Sequence, residues 1–213
     1  MHRQPNFADK CVFELDKALT TIWGKPRGSG RDNPAQNIPE AALTDAQRRH
    51  HAALMRVNHA GEVSAQALYQ GQALTAKLPQ VREAMKNAAA EENDHLLWCQ
   101  QRLTALGGHR SVLNPLWYAG SFTLGAIAGA AGDKWSLGFV AETEKQVEAH
   151  LDDHLGQLST ADAASEAVLR QMQVDEIHHG QQAMQAGGAT LPVPVQKLMS
   201  VVSKVMTRSS FWV

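Results

Sequence analysis

Cysteine is nearly absent from this chain of 213 residues: Cys11 and Cys99 are the only two. Two thiols are too few for a disulfide framework, and too few for an iron–sulfur cluster, which in its usual forms takes four. The start, Met1-His-Arg-Gln-Pro-Asn6, lacks the apolar run of a secretory signal, and a reducing compartment is expected. An excess of charge of one sign is missing as well. Lys and Arg number 20 against 21 Asp and Glu, a net charge of −1, so no basic stripe supports nucleic acid as a partner. Strand signals are lacking throughout. The glycine-rich run Gly125-Ala-Ile-Ala-Gly129-Ala-Ala-Gly132 therefore follows no strand, and the dinucleotide fingerprint fails in context.

What remains is helix, and the expected fold class is all-α: a ferritin-like four-helix bundle with a long crossover helix and extra N- and C-terminal helices. The length demands no more than one domain, spanning 1–213. An N-terminal helix is expected over 7–23, with Val12, Leu15, Ala18, Leu19 and Ile22 at helical spacing. The charged, breaker-rich segment 24–39 reads as a flexible linker. A metal-binding bundle follows over 44–186. Its first helix starts at the capping-box pattern Thr44-Asp-Ala-Gln47 and runs to about Thr75. The second runs from near Pro79 to Ala105 or Leu106, the third over about 134–158 and the fourth over about 161–186.

Through this bundle run two copies of one pattern, a lone Glu followed some thirty residues later by Glu-x-x-His. They are Glu62 with Glu92-Asn-Asp-His95, and Glu144 with Glu176-Ile-His-His179. In an antiparallel helix pair, residues equally far from the turn face each other. Glu62 and Glu92 each lie fifteen residues from Lys77, and Glu144 and Glu176 each sixteen from Thr160. Every ligand also falls on an apolar stripe: Met55, Asn58, Glu62, Ala65, Tyr69; Met85, Ala88, Glu92, His95, Cys99; Val140, Glu144, Val147, Leu151; Leu169, Met172, Glu176, His179. Four buried carboxylates without compensation would each cost roughly several kcal/mol. Two divalent cations balance them and leave both His neutral and ligating.

The competing assignments are shifts of one or two residues. Glu91 can pair with His95 at four residues, and Glu142 lies near Glu144, but both sit off the stripes by about 100° per residue step. His178 points away from His179 for the same reason. Among the neighbours, His59 is placed to orient Glu62 through a hydrogen bond, His150 to enter the surroundings of the site or receive a proton, and Tyr69 to form a pocket wall or carry an electron. Packing roles compete with each of these.

Between the hairpins, residues 111–132 carry no formal charge. The segment is long enough for a bilayer but rich in glycine, with Asn114 and Pro115 near its start. The favoured reading is a crossover helix lying in the membrane interface, with Trp117, Tyr118 and Trp135 at its polar boundaries; a buried crossover is the alternative. Residues 191–213 form a second amphipathic piece, with Val195, Leu198, Met199, Val202, Val205 and Met206 on one face. That face either packs on the bundle or meets lipid.

Six protein ligands for two metals leave coordination positions open, and carboxylates with imidazole suit iron or manganese. Two irons so held can activate dioxygen to hydroxylate an aromatic ring, with two external electrons per turnover. The runs Met55-Arg-Val-Asn-His-Ala-Gly-Glu62 and Ala67-Leu-Tyr-Gln-Gly-Gln72, with Glu91-Glu-Asn-Asp-His-Leu96 and Asp175-Glu-Ile-His-His-Gly180, resemble the demethoxyubiquinone hydroxylase family of ubiquinone biosynthesis. The resemblance covers about 43–186. It implies a non-haem di-iron monooxygenase acting on a polyprenylated methoxy-methyl-benzoquinol, with two iron ions per chain held by Glu62, Glu92, His95, Glu144, Glu176 and His179. It also implies O2 as co-substrate and an electron donor that is NADH, a reductase or the quinol itself. A peripheral position on the cytoplasmic side of the inner membrane is expected, with a ubiquinone-biosynthesis complex and a homo-oligomer as further partners. Rival readings are a soluble ferritin-like oxidase or peroxidase, and a non-catalytic lipid-binding partner in quinone synthesis.

Overall fold

The computed structural model describes residues 6–213, and among them the chain forms helices and no strand. The helices are α1 (Phe7–Trp23), α2 (Asp45–Thr75), α3 (Pro79–Ala105), α4 (Asn114–Ala131), α5 (Asp133–Gln157), α6 (Ala163–Gln185) and α7 (Val193–Trp212). Their ends follow from local chemistry. Thr44 and Gln47 close a reciprocal capping box at the start of α2, and Asp162 caps α6 by accepting the Ser165 N–H. Between α4 and α5 the chain turns on one residue, Gly132, whose φ of 124° is closed to most side chains.

Helices α2, α3, α5 and α6 make the bundle, as two hairpins tied at opposite ends. At one end the Asp133 carboxylate accepts the Lys77 and Leu78 N–H groups, joining the α2–α3 turn to the start of α5. At the other, Asp162 meets His51 at 2.8 Å and Arg102 at 3.2 Å, joining the α5–α6 turn to α2 and α3. Inside, the apolar core is split. One cluster holds Met55, Trp98, Cys99, Leu151, Leu169 and Met172, the other Tyr69, Val81, Met85, Leu137, Val140 and Ala183. Each ligand candidate falls in sequence between a residue of one cluster and a residue of the other, so the polar layer is closed above and below.

The crossover α4 lies against α2 almost without side chains between them. A Cβ on Gly125 would run into the Leu68 carbonyl oxygen, and one on Gly71 into that of Phe122. Two of the glycines that dilute the hydrophobicity of this segment, Gly125 and Gly129, thus lie on its contact surface with α2. No helix among the described residues is long and apolar enough to cross a membrane. Tyr118, expected at a lipid boundary, is buried instead: it donates to Gln70 at 2.5 Å and stacks on Phe122. Trp117 is half-buried, with its indole N–H on Ser210 of α7. Leu116, Leu124 and Ile127 face outward.

Helix α7 is oriented the opposite way to an ordinary amphipathic helix. Its Gln196, Met199, Ser203, Met206, Thr207 and Ser210 side is the more buried one, while Val193, Leu198, Val201, Val202 and Val205 are exposed. On α1, Val12, Phe13, Leu15 and Leu19 are exposed too, and Ile22 alone of the expected stripe is fully buried. Residues 24–39 contain neither helix nor strand, yet they are held along the bundle through Ser29, Arg31 and Asn33.

The glycine contact makes a paired test. Gly125→Ala forces α4 off α2 and should cost about 1–3 kcal/mol by overpacking, a fall of roughly 2–10 °C in melting temperature. Gly120→Ala, with nothing within 4 Å of the new Cβ, should leave the melting temperature unchanged or raise it. Equal effects in thermal melts would mean that α4 does not rest on α2 through Gly125.

Candidate metal centre

Helix periodicity places Glu62 on α2, Glu92 and His95 on α3, Glu144 on α5 and Glu176 and His179 on α6, and all six are buried. Glu62, Glu92, His95 and Glu176 each bring a ligating atom within 4.8 Å of the others. His95 Nδ1 lies 3.0 Å from Glu92, 3.1 Å from Glu176 and 3.7 Å from Glu62. His179 Nδ1 lies 3.3 Å from Glu176 and 3.4 Å from Glu92. Glu144 stands beside this cluster and accepts the Tyr69 hydroxyl; with Glu62 and Glu176 it lines one cavity.

The far nitrogens of the two imidazoles are used in a crossed arrangement. His95 on α3 sets Nε2 against Asp175 of α6 at 2.9 Å, and His179 on α6 sets Nε2 against Glu91 of α3 at 2.7 Å. Each acid immediately precedes a ligand candidate on the opposite helix. Such partners fix the imidazole tautomer and turn Nδ1 toward the centre. Glu91, weighed above as an alternative ligand, thus points at the back of His179. Glu142 bonds Gln146 instead, and His178 bonds Gln182 on the exposed side of α6.

Burial dominates the protonation of the layer. Glu62 and Glu144 are pushed well above the ordinary carboxylate range by desolvation and by neighbouring carboxylates. For His95 and His179 burial works toward lower values, but it is outweighed. The Glu92 charge and the Asp175 and Glu176 contacts raise His95, and the Glu176 and Glu92 contacts carry His179 to about 12. Burial opposes ionisation of Glu92 too, yet the two imidazoles hold it well below its usual range. The layer without metal is therefore a cluster of shared protons, the positions that cations would take over. Glu62 Oε2 and Glu92 Oε1 are buried without a hydrogen-bond partner. The donor set, carboxylate and imidazole with free carboxylate oxygens, fits divalent metal.

One neighbour differs from the sequence reading. His59 does not orient Glu62. Its Nδ1 faces Asn114 of α4 at 3.4 Å, and desolvation lowers it to about 3. His150 lines the same cavity as Glu62, Glu144 and Glu176 with its Nε2 unpartnered, and its ring packs edge-on against His154, which meets Asn58 at 2.9 Å. Missed altogether were Asp175 as a partner of His95, and Ser203, Met206 and Thr207 of α7 as a wall of the cavity. The first had a visible signal, an acid directly before the Glu in both Glu-x-x-His copies. The wall had none, because α7 shows its apolar face to solvent.

The family model of ubiquinone biosynthesis protein COQ7 matches residues 49–210. A protein of Nitrosococcus oceani named 3-demethoxyubiquinol 3-hydroxylase is 57% identical over 205 residues, covering 96% of each chain. Proteins of the same name from Chromobacterium violaceum and Legionella pneumophila (strain Paris) are 55% and 53% identical. They cover 95% and 99% of this chain and 98% and 100% of their own.

The protonation pattern sets a sign for the metal-free protein. Glu62 and Glu144 are raised above 4.5, and His95 and His179 above 6.5, so their contribution to stability is complete below those values and is lost as pH rises through the folded ones. The lowered Glu92 and Asp175 contribute oppositely, but that contribution is complete once pH exceeds their ordinary values of 4.5 and 3.8. The lowered His59, His150 and His154 also contribute oppositely, and their contribution is complete only above their ordinary value of 6.5. Melting temperature of the metal-free form should thus fall between about pH 7.5 and about pH 9, and ferrous iron added without oxygen should flatten the fall. A metal-free melting temperature that rises with pH would contradict this protonation of the layer.

Proposed function

The chain belongs to the COQ7 family of ubiquinone biosynthesis proteins, and on that premise we propose that it is a di-iron monooxygenase hydroxylating the ring of a polyprenylated methoxy-methyl-benzoquinol, 3-demethoxyubiquinol. The observation that carries the reading is the buried layer of four Glu and two His, each imidazole aimed at the centre by an acid from the opposite helix. Glu62, Glu92, His95, Glu144, Glu176 and His179 would hold the two irons. When bound, they supply activation of O2, so that one oxygen atom enters the ring as hydroxyl and the other leaves as water, with two electrons from NADH, a reductase or a quinol.

The protein's own part is access, orientation and proton placement. The cavity of about 40 Å³ beside Glu62, Glu144 and Glu176 is closed on its outer side by Ser203, Met206 and Thr207. That volume holds a few waters and is smaller than a substituted ring, so the ring enters as α7 shifts outward. Few polar ties resist this shift, among them Arg56 to the Phe211 carbonyl and Trp117 to Ser210. Inside, burial holds His150 down to about 4, and its neutral ring presents a free Nε2 to a quinol hydroxyl. Tyr69 donates its hydroxyl to Glu144 and so favours the ionised, ligating carboxylate against the burial that opposes it.

The outward apolar residues of α1, α4 and α7 fit a protein seated on the cytoplasmic face of the inner membrane without crossing it. The polyprenyl tail stays in lipid while the ring passes beneath α7. A homo-oligomer or an assembly with other enzymes of quinone synthesis fits the same surface.

Reconstitution with ferrous iron without oxygen, then addition of a demethoxy-quinol analogue and O2, should give two irons per chain and hydroxylated, quinol-dependent product. Oxygen uptake without product would turn the reading toward an oxidase, and no tight iron binding would overturn the ligand set. Glu144→Ala should lose most bound iron while Glu142→Ala keeps it, by metal analysis of the purified variants; the reverse would move the ligand. Replacing Val202 and Val205 together by Asp should weaken binding to phosphatidylcholine vesicles by about a hundredfold. Unchanged sedimentation with vesicles would sink the membrane reading.

A further inference from the structure

The two Glu-x-x-His halves are built alike but are not held alike. Asp175, behind His95, is itself fixed. Arg31 reaches Asp175 Oδ2 at 2.7 Å and Gln171 donates to Oδ1 at 3.0 Å, and the Asp175 side chain is 15% exposed. Glu91, behind His179, is 51% exposed. Arg31 is delivered by the segment before α2, which fastens at two points. Ser29 donates its N–H and its hydroxyl to the two oxygens of Asp94, at 2.7 and 2.6 Å. The Arg31 guanidinium then lies over the Trp98 ring, 5.1 Å from its centre, and that ring stands 5.5 Å from His95. Asp94 adjoins His95 on α3, and Asp175 adjoins Glu176 on α6. The strap therefore clasps both helices beside their ligands, on the His95 side. On that side Glu62, Glu92, His95 and Glu176 already converge, while Glu144 and His179 are outside that group.

We propose that Arg31 is a positioning residue that makes the two metal positions unequal: by fixing Asp175, and through it His95, the strap creates a tight position that fills before the one served by His179. This rests on the ligand set proposed above. Two effects of Arg31 oppose each other. Its charge repels a metal ion and lessens the pull of Asp175 on the His95 N–H, which weakens binding. Its fork and stacking on Trp98 hold Asp175 in one orientation, which strengthens it. The guanidinium is 37% exposed, so water screens the charge. The orientation is not screened, and it decides the sign.

The test is titration of the metal-free protein with Mn2+, followed by calorimetry and by the EPR signal of unbound ion. Wild type should bind in two resolved steps. Arg31→Gln should weaken the first by about tenfold and leave the second unchanged, and Glu91→Gln should weaken only the second. Arg31→Lys keeps the charge without the planar fork and should recover only part of the loss. The metal-free Arg31→Gln protein should melt as wild type does, separating positioning from general stability. Two equal steps in wild type, a first step unchanged or tightened by Arg31→Gln, or both variants weakening the same step would each overturn the proposal and leave the ligand set standing. No binding of two ions by wild type would remove both.

Discussion

Four carboxylates and two imidazoles occupy one layer of the bundle interior, and the cost of keeping charge there governs what surrounds it. An isolated buried ion costs several kcal/mol, and it is retained only when charge and hydrogen bonds are matched around it. Here the matching is done at three depths. The imidazoles face the carboxylates, acids from the opposite helix face the imidazoles, and one cation from outside the bundle faces an acid. Two apolar clusters close the layer from either end. Two of the protein's apolar clusters therefore have a polar floor between them, and a third, around Ile22, Val63, Leu96 and Tyr118, packs beneath α1 and α4.

Helix α2 packs against α1, α3, α4, α5 and α7, and it carries an unusual load of buried polar side chains for that reason. Four of them bond neighbouring elements: His51 the α5–α6 turn, Asn58 the end of α5, Gln66 both α1 and α3, and Gln72 the start of α5. These bonds fix the depth at which each helix sits against α2, which apolar packing alone would leave free to slide by a turn. The depth matters because the six candidate ligands come from four helices, and a slip of one turn moves a carboxylate about 5.4 Å.

Much of this was legible in the sequence because it rests on local rules. The cap at Thr44, the helix ends near Leu106 and Ala186, and the equal distances of Glu62 and Glu92 from their turn are read from spacing alone. The failures share another cause. Tyr118 and His59 were assigned from residue type, yet their roles depend on which face of α4 meets α2, and that was decided by glycines whose close contact leaves no periodic signal. The expected apolar face of α7 is split, its Val195, Leu198, Val202 and Val205 turned outward and its Met199 and Met206 inward, because the inner surface is built of Ser, Thr and Met that ordinary amphipathicity ranks as solvent-facing. The strap looked mobile because Gly28, Ser29 and Gly30 are breakers. Gly28 instead lets the backbone lie against Asp94, where a Cβ would come within 2.6 Å of a carboxylate oxygen.

Arg31 and Asp175 are 144 residues apart in the chain. During synthesis the strap leaves the ribosome after α1 and well before α6, so its anchor on α6 is made late. Until then the α2–α3 hairpin carries three of the six candidate ligands with half of the polar layer uncovered. Domains acquire non-local contacts only after the intervening chain exists. A segment that emerges before the whole bundle is therefore its closing clasp, and a nascent chain released before α6 has an open, acidic half-site able to take up the wrong ion.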